Sequence, residues 1–333
     1  SRMASFPSSR FQLSQPPWKT QVVCPPGVGR PRQFEYDPVM PTLEGEALVA
    51  TKTNGAPKLT HRFSTGLTAD NRDAIFGLCW FRKHPGWFIS GSSQGILACW
   101  DLASETVAAH YPVFDKPTSV QLDCVDKTLI VGGYSPSVSL IDLETGTVSQ
   151  EFTNIHSDHI NISRFTNHSP YLFATSSFDQ TAKLWDARVP FSEGNQRPLY
   201  TLKSDQGHVM LCFSPDDLHL LTSAVENDVR QFTALDGRLE HHFQIPATGL
   251  DDNFTRAYYS SSGRFVLSGS SEETCIRVHC AHTAEHLQSA DLYPGKRHSS
   301  IYIQSLRGDP HSDSRFSVLV NYRDQAYPLE IVA

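Results

Sequence analysis

The sequence predicts an all-β fold of repeated four-stranded units closed into a ring, and three observations lead there. Segments of one design recur along the 333 residues. Each runs through an apolar strand, a polar turn, an apolar strand ending in small residues, a tight turn, an alternating strand, a turn and a last strand. Trp100, Ile141, Trp185, Phe232 and His279 hold one position of that design, at intervals of 41, 44, 47 and 47 residues. Repeats of about 40–45 residues with four short strands each mark a β-propeller. The bulk agrees: 39% hydrophobic and 19% charged residues supply a core, and closed all-β folds of this length form one domain.

Taken in order, residues 1–17 are rich in Ser and Pro and are expected to be a mobile tail or a strap along the surface. "WKTQVVCP" (18–25) alternates but has no unit of its own, and "PPGVGRPR" (25–32) is a turn-rich connector. Seven units begin near Gln33, Ile75, Ser119, Ile160, Val209, Arg256 and Ile301. The first and last are the weakest copies. The last ends on "YPLEIVA" at Ala333, a third strand without a fourth. Residues 18–25 are therefore assigned as the outer strand of unit seven, so that the ring has no open edge. "ARVPFSEGNQRP" (187–198) is a loop between strands of unit four, and "RGDPHSDSRF" (307–316) a loop of unit seven whose "RGD" is a bare three-residue match. The predicted organisation is a tail, 1–17, and one propeller, 18–333.

"GSSQGILACWDL" (91–102) and "TSSFDQTAKLWDA" (175–187) resemble WD40 repeats, and "GGYSPSVSLIDL", "SAVENDVRQFTAL" and "GSSEETCIRVHC" resemble degenerate copies. The resemblance spans nearly the whole chain and implies a seven-bladed WD40 propeller. It implies further that His156, four residues before Ile160, joins Asp179, Thr175 or Ser177, and Trp185 in a buried hydrogen-bond relay. Such a network has to be fully satisfied, so His156 and Asp179 are structural, not a catalytic pair. Gln94 in unit two, and Tyr134 or Ser135 in unit three, replace the Asp; these units are expected to rely more on apolar packing. In the family, partners bind over the channel mouth, at positions held here by Asp73, Gln94, Tyr134, His159, Phe178, Glu226, Phe254, Glu272 and Tyr322. Phe178 and Tyr134 are the aromatic candidates, and interface anchors are often aromatic.

"WDAR" (185–188), with Ala174 to Ser177, Asp179 and Leu184, resembles the DWD box of substrate receptors of the cullin-4 ubiquitin ligase. That resemblance implies that Arg188, positioned by Trp185 and Asp186, meets the ligase's adaptor, damaged-DNA-binding protein 1. The alternative is that Arg188 pairs only within its own unit. Trp100-Asp101 is followed by Leu102-Ala103, so unit two carries no second box.

A net charge of −7 argues against nonspecific nucleic-acid binding. The seven scattered cysteines contain no C-x-x-C pair and are expected to be reduced and mostly buried, hence an intracellular location, nuclear or cytoplasmic. There is no apolar run near 18 residues, so no membrane span is expected. Sequons at Asn161, Asn167 and Asn253 are read as chance matches. No phosphate-binding, nucleophile-elbow or zinc-spaced motif occurs. His241-His242 and His279/His282 are the nearest to a metal pair, but strand alternation sends His241 and His242 to opposite faces. No cofactor, metal or small-molecule substrate is expected. The reading is a noncatalytic interaction propeller: a ligase substrate receptor, or a scaffold in a chromatin or signalling assembly, or, less favoured by charge, a reader of damaged DNA.

Overall fold

The computed structural model describes residues 19–22, 42–43, 47–51, 58–63, 75–84, 86–92, 94–112, 114–189, 197–250, 252–291, 306–308, 317–320 and 329–332. Strand β1 (Lys19–Val22) comes first. Sheet one follows with β2 (Thr42–Leu43), β3 (Ala47–Thr51) and β4 (Lys58–Phe63). Sheet two is β5 (Ile75–Trp80), β6 (Trp87–Ser92), β7 (Leu97–Asp101) and β8 (Thr106–Tyr111). Sheet three is β9 (Pro117–Leu122), β10 (Thr128–Gly133), β11 (Val138–Asp142) and β12 (Thr147–Phe152). Sheet four is β13 (Ile160–Phe165), β14 (Leu172–Ser177), β15 (Thr181–Asp186) and β16 (Tyr200–Lys203). Sheet five is β17 (His208–Phe213), β18 (His219–Ala224), β19 (Val229–Thr233) and β20 (Leu239–Phe243). Sheet six is β21 (Thr255–Tyr259), β22 (Phe265–Ser270), β23 (Cys275–Cys280) and β24 (His286–Asp291). Sheet seven is β25 (Leu306–Gly308), β26 (Ser317–Val320) and β27 (Leu329–Val332).

Among the described residues these are seven antiparallel sheets. β1 is the outer strand of the seventh, pairing with β27 from Lys19↔Val332 to Val22↔Leu329. The predicted starts at Ile75 and Ile160 coincide with β5 and β13, and three others fall within two residues of β9, β17 and β21. Gln33, Ile301 and the segment 1–17 lie outside the described residues, and sheet seven's first described strand starts at Leu306.

One local device repeats. Trp100, Ile141, Phe232 and His279 each sit at a register shift between third and fourth strands. Five residues after each comes a residue with positive φ: Glu105, Gly146, Gly237 and Ala284. A left-handed residue beside a bulge is how a short hairpin loop returns its strand. Sheet four departs, because its loop is longer.

The sheets pack face against face. First strands touch in succession from β5 through β9, β13, β17 and β21 to β25. β17 is buried along its whole length, whereas the fourth strands β8 and β12 are largely exposed. Core clusters form between sheets. One joins Ile89, Leu97 and Cys99 to Val120, Leu129 and Val131; another joins Ile130, Leu140 and Phe152 to Phe165, Phe173 and Trp185. Contact between sheets two and three is close enough that a Cβ on Gly77 would lie 2.8 Å from Val120 Cγ2. Of the six described cysteines, Cys79, Cys99 and Cys212 are buried, while Cys124, Cys275 and Cys280 are only half-buried.

The turns that join first and second strands lock neighbouring sheets together. Asp126 of sheet three accepts the N–H groups of Arg82 and Lys83 in sheet two at 3.1 and 2.6 Å. Asp217 of sheet five does the same for Asn167 and His168 of sheet four, both at 2.8 Å. The sequons are absorbed into this framework: Asn161 donates to His208 O, Asn167 to Ser214 O and Asp217, and Asn253 is fully buried.

Candidate functional site

Sheet four carries a continuous relay. Trp185 Nε1 donates to Thr175 Oγ1 at 2.9 Å, Thr175 Oγ1 lies 2.7 Å from His156 Nε2, and His156 Nδ1 lies 2.9 Å from Asp179 Oδ2. One set of proton positions satisfies every link: indole N–H to Thr175, hydroxyl to Nε2, Nδ1–H to the carboxylate. His156 is therefore neutral, and burial lowers its pKa. Burial opposes the Asp179 charge, yet bonds from His156 and Thr181 hold its carboxyl well below the usual range. Ser157 and Thr181 N–H groups fill its remaining positions. The hydroxyl in the relay is Thr175. Ser177, two residues nearer the strand end, instead donates to Asp158 O and accepts from Asp179 N–H, so its inclusion in the relay is corrected.

The other sheets keep fragments of this network, and some replace it with charge. In sheet two Trp100 Nε1 reaches Ser90 Oγ at 2.8 Å. In sheet five Ser204 stands where His156 does, donating to Asp228 at 2.7 Å, and Asp228 also holds Arg230. In sheet six Glu273 pairs with Arg277 and accepts from Asn227 and Ser270. Sheets five and six thus put ion pairs where sheet four has the relay. His279, in the Trp position, is 1% exposed, and neither ring nitrogen has a hydrogen-bond partner among the described residues.

Arg188 lies just past β15, at the end of the sheet where first and third strands finish. Asp186 accepts its backbone N–H at 2.9 Å, Nε at 3.0 Å and Nη2 at 2.7 Å. In sheet two the matching Asp101 caps Ala103 and Ser104 instead. Tyr171, from the β13–β14 turn, places its ring 5.4 Å from the guanidinium. The Arg188 hydrogen bonds hold the Asp186 pKa down, and Asp186 in turn raises that of Arg188. The side chain is still 63% exposed. A braced, solvent-facing guanidinium with donors left over can form charge-assisted bonds to a carboxylate. Exposed Tyr171, Val189, Leu199, Leu218 and Leu235 come from loops at this same end of sheets four and five. Tyr171 was not singled out in the sequence, because only the pairing of Leu172 with Asp186 brings it to Arg188.

At the opposite end, where first and third strands begin, four of the nominated partner-face residues form one row. Tyr134 stacks on His159 with centroids 5.1 Å apart, His159 meets Phe178 edge-on at 4.9 Å, and Phe178 meets Phe254 at 6.0 Å. The row crosses from sheet three to sheet six. Lys116 Nζ lies 5.8 Å from the Tyr134 ring. Gly207 lies beneath Phe178: a Cβ there would be 2.4 Å from the ring. Lys116 and Gly207 were not nominated; both act from loops remote in sequence. Tyr134 is 54% and Phe254 36% exposed. Gln94 and Glu272 are also exposed at this end. Glu226 also fastens a loop: its carboxylate accepts from Thr248, Gly249 and Leu250. Asp73 and Tyr322 lie outside the described residues.

The WD40 family model (WD domain, G-beta repeat) matches residues 148–186, the stretch that holds the relay and ends on Asp186. The chain is 42% identical over 320 residues to Protein DWD HYPERSENSITIVE TO UV-B 1 of Arabidopsis thaliana, covering 91% of this chain and 40% of that protein. It thus spans well under half the length of that relative. It is 30% identical over 158 residues to guanine nucleotide-binding protein subunit beta-1 of Nicotiana tabacum (45% of this chain, 40% of that one). Over 64 residues it is 41% identical to DNA damage-binding protein 2 of Mus musculus, 19% of this chain and 14% of that one.

Proposed function

Because this chain is a WD40-repeat protein, a fold whose work is binding other proteins, we propose that it is a substrate receptor of the cullin-4 ubiquitin ligase. Its Trp185-Asp186-Arg188 end docks on the adaptor, damaged-DNA-binding protein 1, and its aromatic end presents a target for ubiquitination. The observation that carries the reading is Arg188: exposed, kept charged, and aimed by a bidentate bond to Asp186 and by the Tyr171 ring. Likeness over most of this chain to a plant protein whose name contains DWD supports it. The role is noncatalytic, and the compartment follows the ligase, nuclear or cytoplasmic.

Pulldown of the purified adaptor tests this. Wild-type protein, with its natural flanks, should retain the adaptor, and Arg188→Ala should weaken or abolish retention while melting stays nearly unchanged, since an exposed Arg contributes little to stability. If melting falls in Arg188→Ala and the wild type binds no adaptor, Arg188 serves only its own sheet and the scaffold reading takes over.

A further inference from the structure

The aromatic end has a chemistry that selects among targets. The row is polarised. At the sheet-three end Lys116 already lies over the ring of Tyr134, which is stacked on His159. At the other end, Phe178 and Phe254 meet edge-on and are partly open to solvent. Three exposed carboxylates come from the loops that adjoin these two rings. Asp205 is two residues before Gly207, the residue beneath Phe178. Asp252 is two residues before Phe254. Glu272 is tied to the loop that carries Asp252 and Phe254, because its N–H donates to Asn253 Oδ1. Ser271 ties the two loops: its Oγ accepts the Phe254 N–H at 2.8 Å and donates to Asp252 O at 3.0 Å. Among the described residues none of these three carboxylates has an ion-pair partner, in contrast to Asp228 and Glu273.

We infer that the Phe178–Phe254 end, flanked by Asp205, Asp252 and Glu272, seats a Lys or Arg side chain of a target protein's basic segment. Ring faces attract cations, and unpaired carboxylates nearby complement the charge. Lys116 over Tyr134 shows the same pairing made within the chain. It also disfavours a second cation at its own end, so the basic residue lies toward Phe254 and the segment runs along the row toward Lys116. The inference rests on the reading of this end as the target face; it is independent of what Arg188 binds.

The test is an array of dodecamer peptides, randomised except for a central residue fixed as Arg, Lys, Gln or Glu, probed with the full chain. Arg and Lys pools should be retained about tenfold above Gln and Glu pools, the scale of one partly desolvated cation–ring contact. Phe178→Ala should erase the preference although it leaves the net charge unchanged, which separates the site from general attraction to an acidic protein. Asp252→Asn/Glu272→Gln, substitutions at exposed positions, should reduce it, and Arg188→Ala should leave it intact. Retention of Gln or Glu pools with the same dependence on Phe178 would overturn the cationic assignment while leaving the target face standing. A Lys and Arg preference that survives Phe178→Ala, or no preference in the wild type, would overturn the site.

Discussion

Single side chains here do unequal work even where the repeat makes them equivalent. Trp100 and Trp185 both end on a hydroxyl, but only Trp185 continues through Thr175 and His156 to a carboxylate. Removing that carboxylate takes from the buried Nδ1–H of His156 its charged acceptor and leaves only Thr181 Oγ1, at 3.1 Å. Asp179→Ala should therefore destabilise the fold by about 1–3 kcal/mol in denaturant unfolding. Thr175→Val should also destabilise, because it orphans the indole N–H and Nε2 together. Ser177→Ala, outside the relay, should perturb stability less than either; equal losses from all three would mean that the chain of bonds does not act as a unit. His156, Asp179 and Trp185 were legible from spacing. The choice of Thr175 over Ser177 was not, since both hydroxyls occupy the small-residue end of β14 and only cross-strand register decides which one faces the indole.

Strands carry the next level. β1 and β27 come from opposite ends of the chain, and their pairing completes sheet seven. Without it the N–H and C=O groups of β27 on that side would form an open edge, a template for association with another chain. Deleting residues 1–25 should therefore lower the melting temperature and produce oligomers in size-exclusion chromatography. A deletion variant that stays monomeric and equally heat-stable would show that the pairing contributes nothing. The sequence pointed to this strand by its alternation and by the missing fourth strand of the last unit. The ion pairs of sheets five and six were harder to anticipate. Asp228, Arg230, Glu273 and Arg277 look like ordinary surface charges until the strands pack and half-bury them.

For the whole molecule, two ends and one acid-sensitive interior matter. Tyr134→Ala combined with Phe178→Ala should lose target proteins in a lysate pulldown and keep the adaptor, the reverse of Arg188→Ala. Loss of both classes of partner from either variant would mean that one surface serves both. In the interior, burial pushes the pKa values of His208 and His279 down to about 4, and neither ring has a hydrogen-bond partner among the described residues. Each takes up a proton more readily unfolded, near pH 6.5, than folded. Their contribution is thus fully present above about pH 6.5 and is lost as pH falls toward 4. His279→Phe, the residue sheet five holds at that position, should make stability less steep in pH over this window; an unchanged slope would mean that His279 does not titrate there.

The sequence by itself determined the repeat, the strand order, the relay's ends and the exposed Arg after Trp185-Asp186. These are matters of local spacing and alternation, which one stretch of chain expresses without reference to another. It also nominated Tyr134, His159, Phe178 and Phe254, but as separate positions. Only the tertiary structure decided that these four touch, that Glu226 holds a loop, and that Tyr171 braces Arg188. Each of those outcomes depends on distances between loops of different strands or sheets, and those distances are set by how buried faces pack.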